Sequence, residues 1–262
     1  MKKYLSARLH ESGTMDEEKL WDWGVNMCPL DLATLPELEQ IAPSFLGRVQ
    51  EIAITPLPVG PGPMDPFLPP MRPGTRLTLV LDLDETLVHF NSYNGSINFR
   101  PYVLEVLRQI KRLDGCEVVV FTAGTREYAE FVVECLDPDR NLIDYFLSRE
   151  HCCRFTQHYL HTAPREHYWK ELRHLGRPMD RVVLVDNSPT SLVLNPSNGI
   201  PIKSWLKNPE DRELLHLLDL VKALLSSDEP VQSVLEDRYN LPAFFESLRE
   251  APHSVFLAVS EA

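Results

Sequence analysis

Val80-Leu-Asp-Leu-Asp-Glu-Thr-Leu-Val-His89 sets two carboxylates, Asp82 and Asp84, two residues apart at the end of an apolar run. The run itself, Leu77-Thr-Leu-Val-Leu-Asp82, reads as a buried strand. Strand side chains alternate in direction, so residues i and i+2 share a side. Asp82 and Asp84 therefore converge on one small volume. Two acids held together repel unless a cation or a proton separates them. The arrangement suits a divalent metal beside a nucleophile and an acid. Strand-end acids that merely cap a turn or a helix are the plainer alternative.

Outward from this stretch, apolar runs alternate with helical patterns. Arg100-Pro101 opens an amphipathic helix carrying Val103, Val106, Leu107 and Ile110, and Cys116 to Thr122 is a second strand. Gly124 to Leu136 reads as a helix, Ile143 to Leu147 as a short strand, and Arg165 to Leu175 as a helix. Arg181 to Asp186 is another buried strand, and Ile200 to Trp205 is the last candidate. Asn208-Pro209-Glu210-Asp211 has the pattern of a helix start, with an N-cap, a proline in the first turn and acids at the positive end of the dipole. Repeated βα units with near-continuous apolar strands predict an α/β fold, a doubly wound parallel sheet over residues 75–250.

The flanks read differently. Residues 1–74 form an N-terminal extension, helical at first, with Leu30, Leu32, Leu35, Leu38 and Ile41 on a stripe that Pro36 interrupts. From Pro56 to Gly74, prolines at 56, 58, 61, 63, 66, 69, 70 and 73 forbid helix and central strand, so this part reads as an extended linker or wrapping segment. Residues 251–262 are a short tail. A net charge of -12 argues against a general nucleic-acid or anionic-membrane surface. No run reaches the roughly 18 apolar residues of a membrane helix, and the opening residues lack a secretory apolar core. Cysteines 28, 116, 135, 152 and 153 suggest no disulfide framework, which points to nucleus or cytoplasm. Cys152 and Cys153 with His151, His158 and His161 invite a zinc reading, but adjacent cysteines chelate one ion poorly and the spacing matches no standard site.

In sheets of this kind the site lies beyond the carboxyl ends of the strands. Three strands end in functional groups here: Asp82-Leu-Asp84-Glu-Thr86, Phe121-Thr122-Ala-Gly124 and Asp186-Asn187-Ser188-Pro189. With Arg100-Pro101 and Tyr168-Trp-Lys-Glu-Leu172, this ordered set resembles the haloacid dehalogenase superfamily. The likeness is to its branch of small C-terminal-domain and nuclear-envelope-type protein phosphatases, and it covers about residues 75–240. It implies a magnesium-dependent phosphatase acting on protein phosphoserine or phosphothreonine. Asp82 would be the nucleophile that becomes an aspartyl-phosphate. Asp84 would protonate the leaving oxygen and later deprotonate water. Mg²⁺ would sit on the Asp82 and Asn187 side chains and the Asp84 backbone carbonyl, oxygen donors of the kind it prefers. Thr122 and Lys170 would bind the phosphoryl group. Asp186 would orient Lys170 or a metal-bound water, and Thr86 would brace the loop carrying Asp84. Plainer readings make Thr122 a helix cap, Lys170 an ordinary lysine on an amphipathic helix, and Asn187 a turn residue. Arg100 reads as structural.

Relatives acting on small metabolites usually cover the site with an inserted cap domain. Neither the span from Asp84 to Thr122 nor that from Thr122 to Lys170 holds a domain, so an open, capless cleft is expected. Only Phe90 to Phe99 intervenes after the first motif, where well-known members of the branch carry a longer insertion. That departs from the pattern associated with RNA polymerase II tail specificity. The same fold also resembles a mitochondrial inner-membrane import receptor through Ile200 to Lys203 and Asn208 to Asp211. A targeting-peptide binding protein, and with it a mitochondrial location, is the alternative reading.

Overall fold

Five parallel strands hold the site in the computed structural model, which describes residues 66–91, 95–157 and 165–250. The strands are β1 (Leu77–Leu81), β4 (Cys116–Phe121), β5 (Tyr145–Leu147), β8 (Val182–Asp186) and β9 (Gly199–Pro201), in the order β5-β4-β1-β8-β9. Every pairing in this sheet is parallel. All five residues of β1 are buried, as are all five of β8, which is why both read as unbroken apolar runs rather than alternating ones. The chain leaves central β1 first toward β4 and β5, then returns to β8 and β9 on the other side. The order thus reverses at β1, and the crevice above a reversal point is where such sheets bind ligands.

Helices α1 (Val103–Lys111), α2 (Arg126–Leu136), α3 (Pro189–Leu192), α4 (Glu213–Ser226), α5 (Val231–Tyr239) and α6 (Leu241–Glu250) flank the sheet. Helix α1 buries Val103, Val106, Leu107 and Ile110, the predicted stripe, and packs against α4. Two antiparallel ribbons complete the fold: β2 (Val88–Asn91) with β3 (Ser96–Phe99), and β6 (Cys153–Gln157) with β7 (Arg165–Trp169). Among the described residues, these ribbons are what intervenes between the strand ends; no inserted domain is present.

Three expectations change. The helix predicted over Arg165 to Leu175 is strand β7 followed by a single 3₁₀ turn, Leu172–Leu175. Tyr168 and Trp169 favour a pleated surface, and pairing with β6 satisfies the backbone that a helix would have bonded internally. The helix expected from Asn208 begins at Glu213 instead. Asn208 caps only a local turn, accepting from the Glu210 amide at 3.0 Å, while Asp211 accepts from the Glu213 amide at 3.2 Å. The last strand stops at Pro201 rather than reaching Trp205.

Residues 66–74 lie against the domain. The Phe67 amide donates to the His174 carbonyl at 2.8 Å, and the Pro69 carbonyl accepts from buried Arg177 at 2.9 Å. Gly176 permits the approach: a Cβ there would lie 2.6 Å from Cβ of Pro66. The apolar stripe of 30–41, the prolines up to 63, the tail 251–262, and His158 and His161 lie outside the described residues.

Candidate active site

The loop after β1 is built by one carbonyl. Leu83, buried between the two acids, accepts from the amides of Leu87 at 2.9 Å, Val88 at 3.0 Å and, at 3.3 Å, Thr86. Glu85 takes the left-handed conformation (φ 59) that closes so tight a turn. Asp82 extends the sheet, its amide donating to the Val185 carbonyl at 3.0 Å, so β1 and β8 deliver Asp82, Asp186 and Asn187 to one place.

Lys170 lies between the carboxylates. Its side chain is 1% exposed, and its Nζ donates to Asp82 Oδ1 at 2.6 Å and to Asp186 Oδ2 at 2.5 Å. It stands one residue past β7, and its burial rules out the ordinary surface-helix lysine. Burial disfavours its charge, but the Asp186 and Asp82 carboxylates outweigh that and hold it above the usual lysine range. Burial pushes the Asp82 carboxyl the other way, up to about 8; Asp186 and Asp84 add to the rise and Lys170 opposes it. Asp82 and Asp186 share this one ammonium and Asp84 acts on Asp82 as a third carboxylate, which leaves the cluster short of positive charge. The other Asp186 oxygen accepts from the Ser188 amide at 2.7 Å, which fixes its orientation.

Thr122 is buried at the end of β4. Its Oγ1 accepts from the Gly124 amide at 2.9 Å, so its own proton is left to donate. It caps that turn, while Thr125 holds the N-cap position of α2. Thr86 is fully buried, with its hydroxyl 3.4 Å from Asn187 Oδ1. Asn187 Nδ2 donates to Ser204 Oγ at 2.9 Å, which assigns the amide and turns Oδ1 away from Ser204. Arg100 holds this loop from beneath: Nη1 donates to the Thr86 carbonyl at 3.0 Å, and Nε and Nη2 fork onto Asp211 at 2.7 and 2.9 Å. Arg100→Ala would strand Asp211 and free the loop. We expect a loss of about 3–5 kcal/mol in urea unfolding, as for other broken buried pairs; a loss below about 1 kcal/mol would contradict this role.

Two residues join the site without having been singled out in the sequence. The Tyr128 hydroxyl, on the first turn of α2, donates to Asp84 Oδ1 at 2.5 Å. Arg149, after β5, donates through Nε to the Ala123 carbonyl at 2.7 Å and lies 4.6 Å over the Tyr168 ring. Both contacts span more than twenty residues of chain, so no local spacing announces them.

The donor set suits Mg²⁺. Among the described residues, Asp82 Oδ2 and the Asp84 carbonyl accept no hydrogen bond, and Asn187 Oδ1 has only the long contact with Thr86. These are a carboxylate, a peptide and a carboxamide oxygen, hard donors beside a charge-deficient cluster. No three His, Cys, Asp or Glu side chains among the described residues group as a metal cluster, which this mixed set does not require. Burial pushes the Cys152 thiol up to about 12 and raises Cys153 also, which disfavours the thiolates zinc would need.

Comparison with known proteins shows which family the chain resembles. The family model described as NLI interacting factor-like phosphatase matches residues 77–232. A Dictyostelium discoideum protein named "Probable C-terminal domain small phosphatase" is 38% identical over 196 residues, covering 67% of this chain and 60% of that protein. Phosphatase PSR1 of Saccharomyces cerevisiae is 35% identical, covering 60% of this chain and 39% of its own length. The Mus musculus carboxy-terminal domain RNA polymerase II polypeptide A small phosphatase 2 is 34% identical, covering 61% of each chain. The chain therefore spans less than two thirds of these relatives. The ordered motifs, the parallel sheet and the match over most of the described domain lead to one conclusion: this chain belongs to the NLI interacting factor-like phosphatase family of the haloacid dehalogenase type.

Proposed function

We propose that the chain is a Mg²⁺-dependent protein serine/threonine phosphatase working through an aspartyl-phosphate on Asp82. The observation that carries this reading is Lys170, buried and bonded to both Asp82 and Asp186 at adjacent strand ends. A lysine so committed keeps one nucleophile oxygen fixed and supplies positive charge where a phosphoryl group would gather negative charge.

In this mechanism Asp82 attacks phosphorus in line through Oδ1, the oxygen beside Lys170, leaving Oδ2 for the metal, as the bond to the serine or threonine oxygen breaks. Asp84 gives that oxygen a proton as it departs. Asp84 then takes a proton from water, the water oxygen attacks phosphorus, and the bond to Asp82 breaks to release phosphate. The Thr122 hydroxyl donates to a phosphoryl oxygen throughout. Asp186 and the Ser188 amide keep Lys170 in place. Asp82, Asn187 and the Asp84 carbonyl would hold Mg²⁺, which when bound supplies the counter-charge that lets an anionic nucleophile meet an anionic phosphate.

The absence of an inserted domain among the described residues favours a phosphoamino acid on a protein over a small metabolite. The names of the relatives favour the phosphatase over the targeting-peptide receptor, and no observation favours a mitochondrial place over nucleus or cytoplasm. Among the described residues no helix is long and apolar enough to cross a membrane. A panel of phosphoserine peptides and phosphorylated metabolites, assayed with Mg²⁺ and after chelation, tests the proposal. The expected result is Mg²⁺-dependent turnover that favours the peptides. Metabolites turning over faster would overturn the substrate class, and turnover that survives chelation would overturn the metal dependence.

A further inference from the structure

We propose that Tyr128 is a positioning residue for Asp84, selecting which carboxyl oxygen meets the leaving group; the inference rests on the phosphatase reading above. The Tyr128 hydroxyl donates to Asp84 Oδ1 at 2.5 Å, while Oδ2 takes no hydrogen bond among the described residues. A carboxyl group turns freely about its last bond unless something holds it. One donor on Oδ1 gives the group a single orientation and leaves Oδ2 as the oxygen for proton transfer.

The donor is itself held. Phe90, on β2, meets the Tyr128 ring edge-on with centroids 5.9 Å apart and planes at 82°. The ring also lies against Gly124, where a Cβ would sit 2.7 Å from Tyr128 Cδ1 and 3.2 Å from Thr122 Oγ1. Only a residue without a side chain leaves room there. The same Gly124 donates its amide to Thr122 Oγ1 at 2.9 Å. Tyr128 thus ties the loop carrying the acid to the loop carrying Thr122, across 44 residues of sequence.

The role has a signature that a purely structural tyrosine lacks. Serine departs poorly without a proton, whereas nitrophenolate departs without one, so a misplaced acid should harm only the first. The ratio kcat/KM reports steps up to leaving-group departure and excludes hydrolysis of the phosphoenzyme. Tyr128→Phe keeps the ring and removes the donor. We expect kcat/KM for a phosphoserine peptide to fall about 10- to 100-fold, part of what a general acid contributes, and that for nitrophenyl phosphate to fall less than about 3-fold. In an Asp84→Asn background the same substitution should cost the peptide reaction almost nothing further, because its effect passes through Asp84. The metal-free melting temperature should stay within about 2 degrees of wild type. Equal losses on both substrates, no loss on either, or a full loss persisting with Asp84→Asn would overturn the role of Tyr128 and leave the phosphatase reading standing. A wild type with no Asp82-dependent turnover of either substrate would overturn both.

Discussion

Asp82→Asn is expected to lower Mg²⁺-dependent turnover by on the order of 10⁴-fold or more, the scale of losing a covalent nucleophile, while making the metal-free protein more stable at alkaline pH. The two effects share a cause. Asparagine keeps the shape of the side chain but cannot attack phosphorus, and it removes one of the two acids bonded to Lys170. What remains is a balanced Lys170–Asp186 pair. The wild-type carboxyl is pushed from 3.8 up to about 8 mainly by burial, so the folded state binds its proton more tightly than the unfolded state does. Its contribution to stability is therefore fully present below 3.8 and is lost as pH rises through about 8. Thermal unfolding in a chelator between pH 5 and pH 8.5 should show the wild type falling relative to Asp82→Asn by a few degrees. A variant less stable than wild type at the alkaline end would contradict the picture of an over-acidic cluster.

Lys170→Met should be damaging in both respects. It removes the ammonium that two buried carboxylates share, leaving Asp82 and Asp186 facing one another without compensation. Breaking a buried pair by deleting one partner typically costs about 3–5 kcal/mol, since a charge remains in a medium that cannot solvate it. Turnover should fall by about 10³-fold, the upper range for losing one preorganised group against developing charge. Urea unfolding of the metal-free variant at pH 7 measures the first effect. A stability loss under about 1 kcal/mol would mean that Lys170 bears little of the cluster's charge.

These two residues also mark how far the sequence could be read. The strand endings were legible because their pattern is local: continuous apolar runs declare buried parallel strands, and the functional groups follow directly at Asp82, Thr122 and Asp186. The α1 stripe was legible for the same reason, since a 3.6-residue period needs no knowledge of the partner surface. The motif places Lys170 in the site, but the local pattern predicts a helix where the structure has strand β7. Its segment spaces apolar residues in a way compatible with either state, and only pairing with β6 decided for strand. The start of α4 moved for a similar reason: Asp211 is taken by Arg100, 111 residues away, at the end that local capping rules assigned to Asn208.

By itself, then, the sequence determined the parallel α/β order, the carboxyl-end location of the chemistry and the identity of the acids, because periodicity and strand alternation act within a few residues. Only the tertiary structure decided which groups touch them. Lys170 between Asp82 and Asp186, Tyr128 on Asp84, Arg149 on the Ala123 carbonyl and Arg100 under Thr86 are contacts across fourteen or more residues. Except for Arg100 under Thr86 and for Tyr128, which reaches Asp84 from helix α2, they join separate strand ends, which come together only when the sheet assembles and its burial makes each unpaired charge costly.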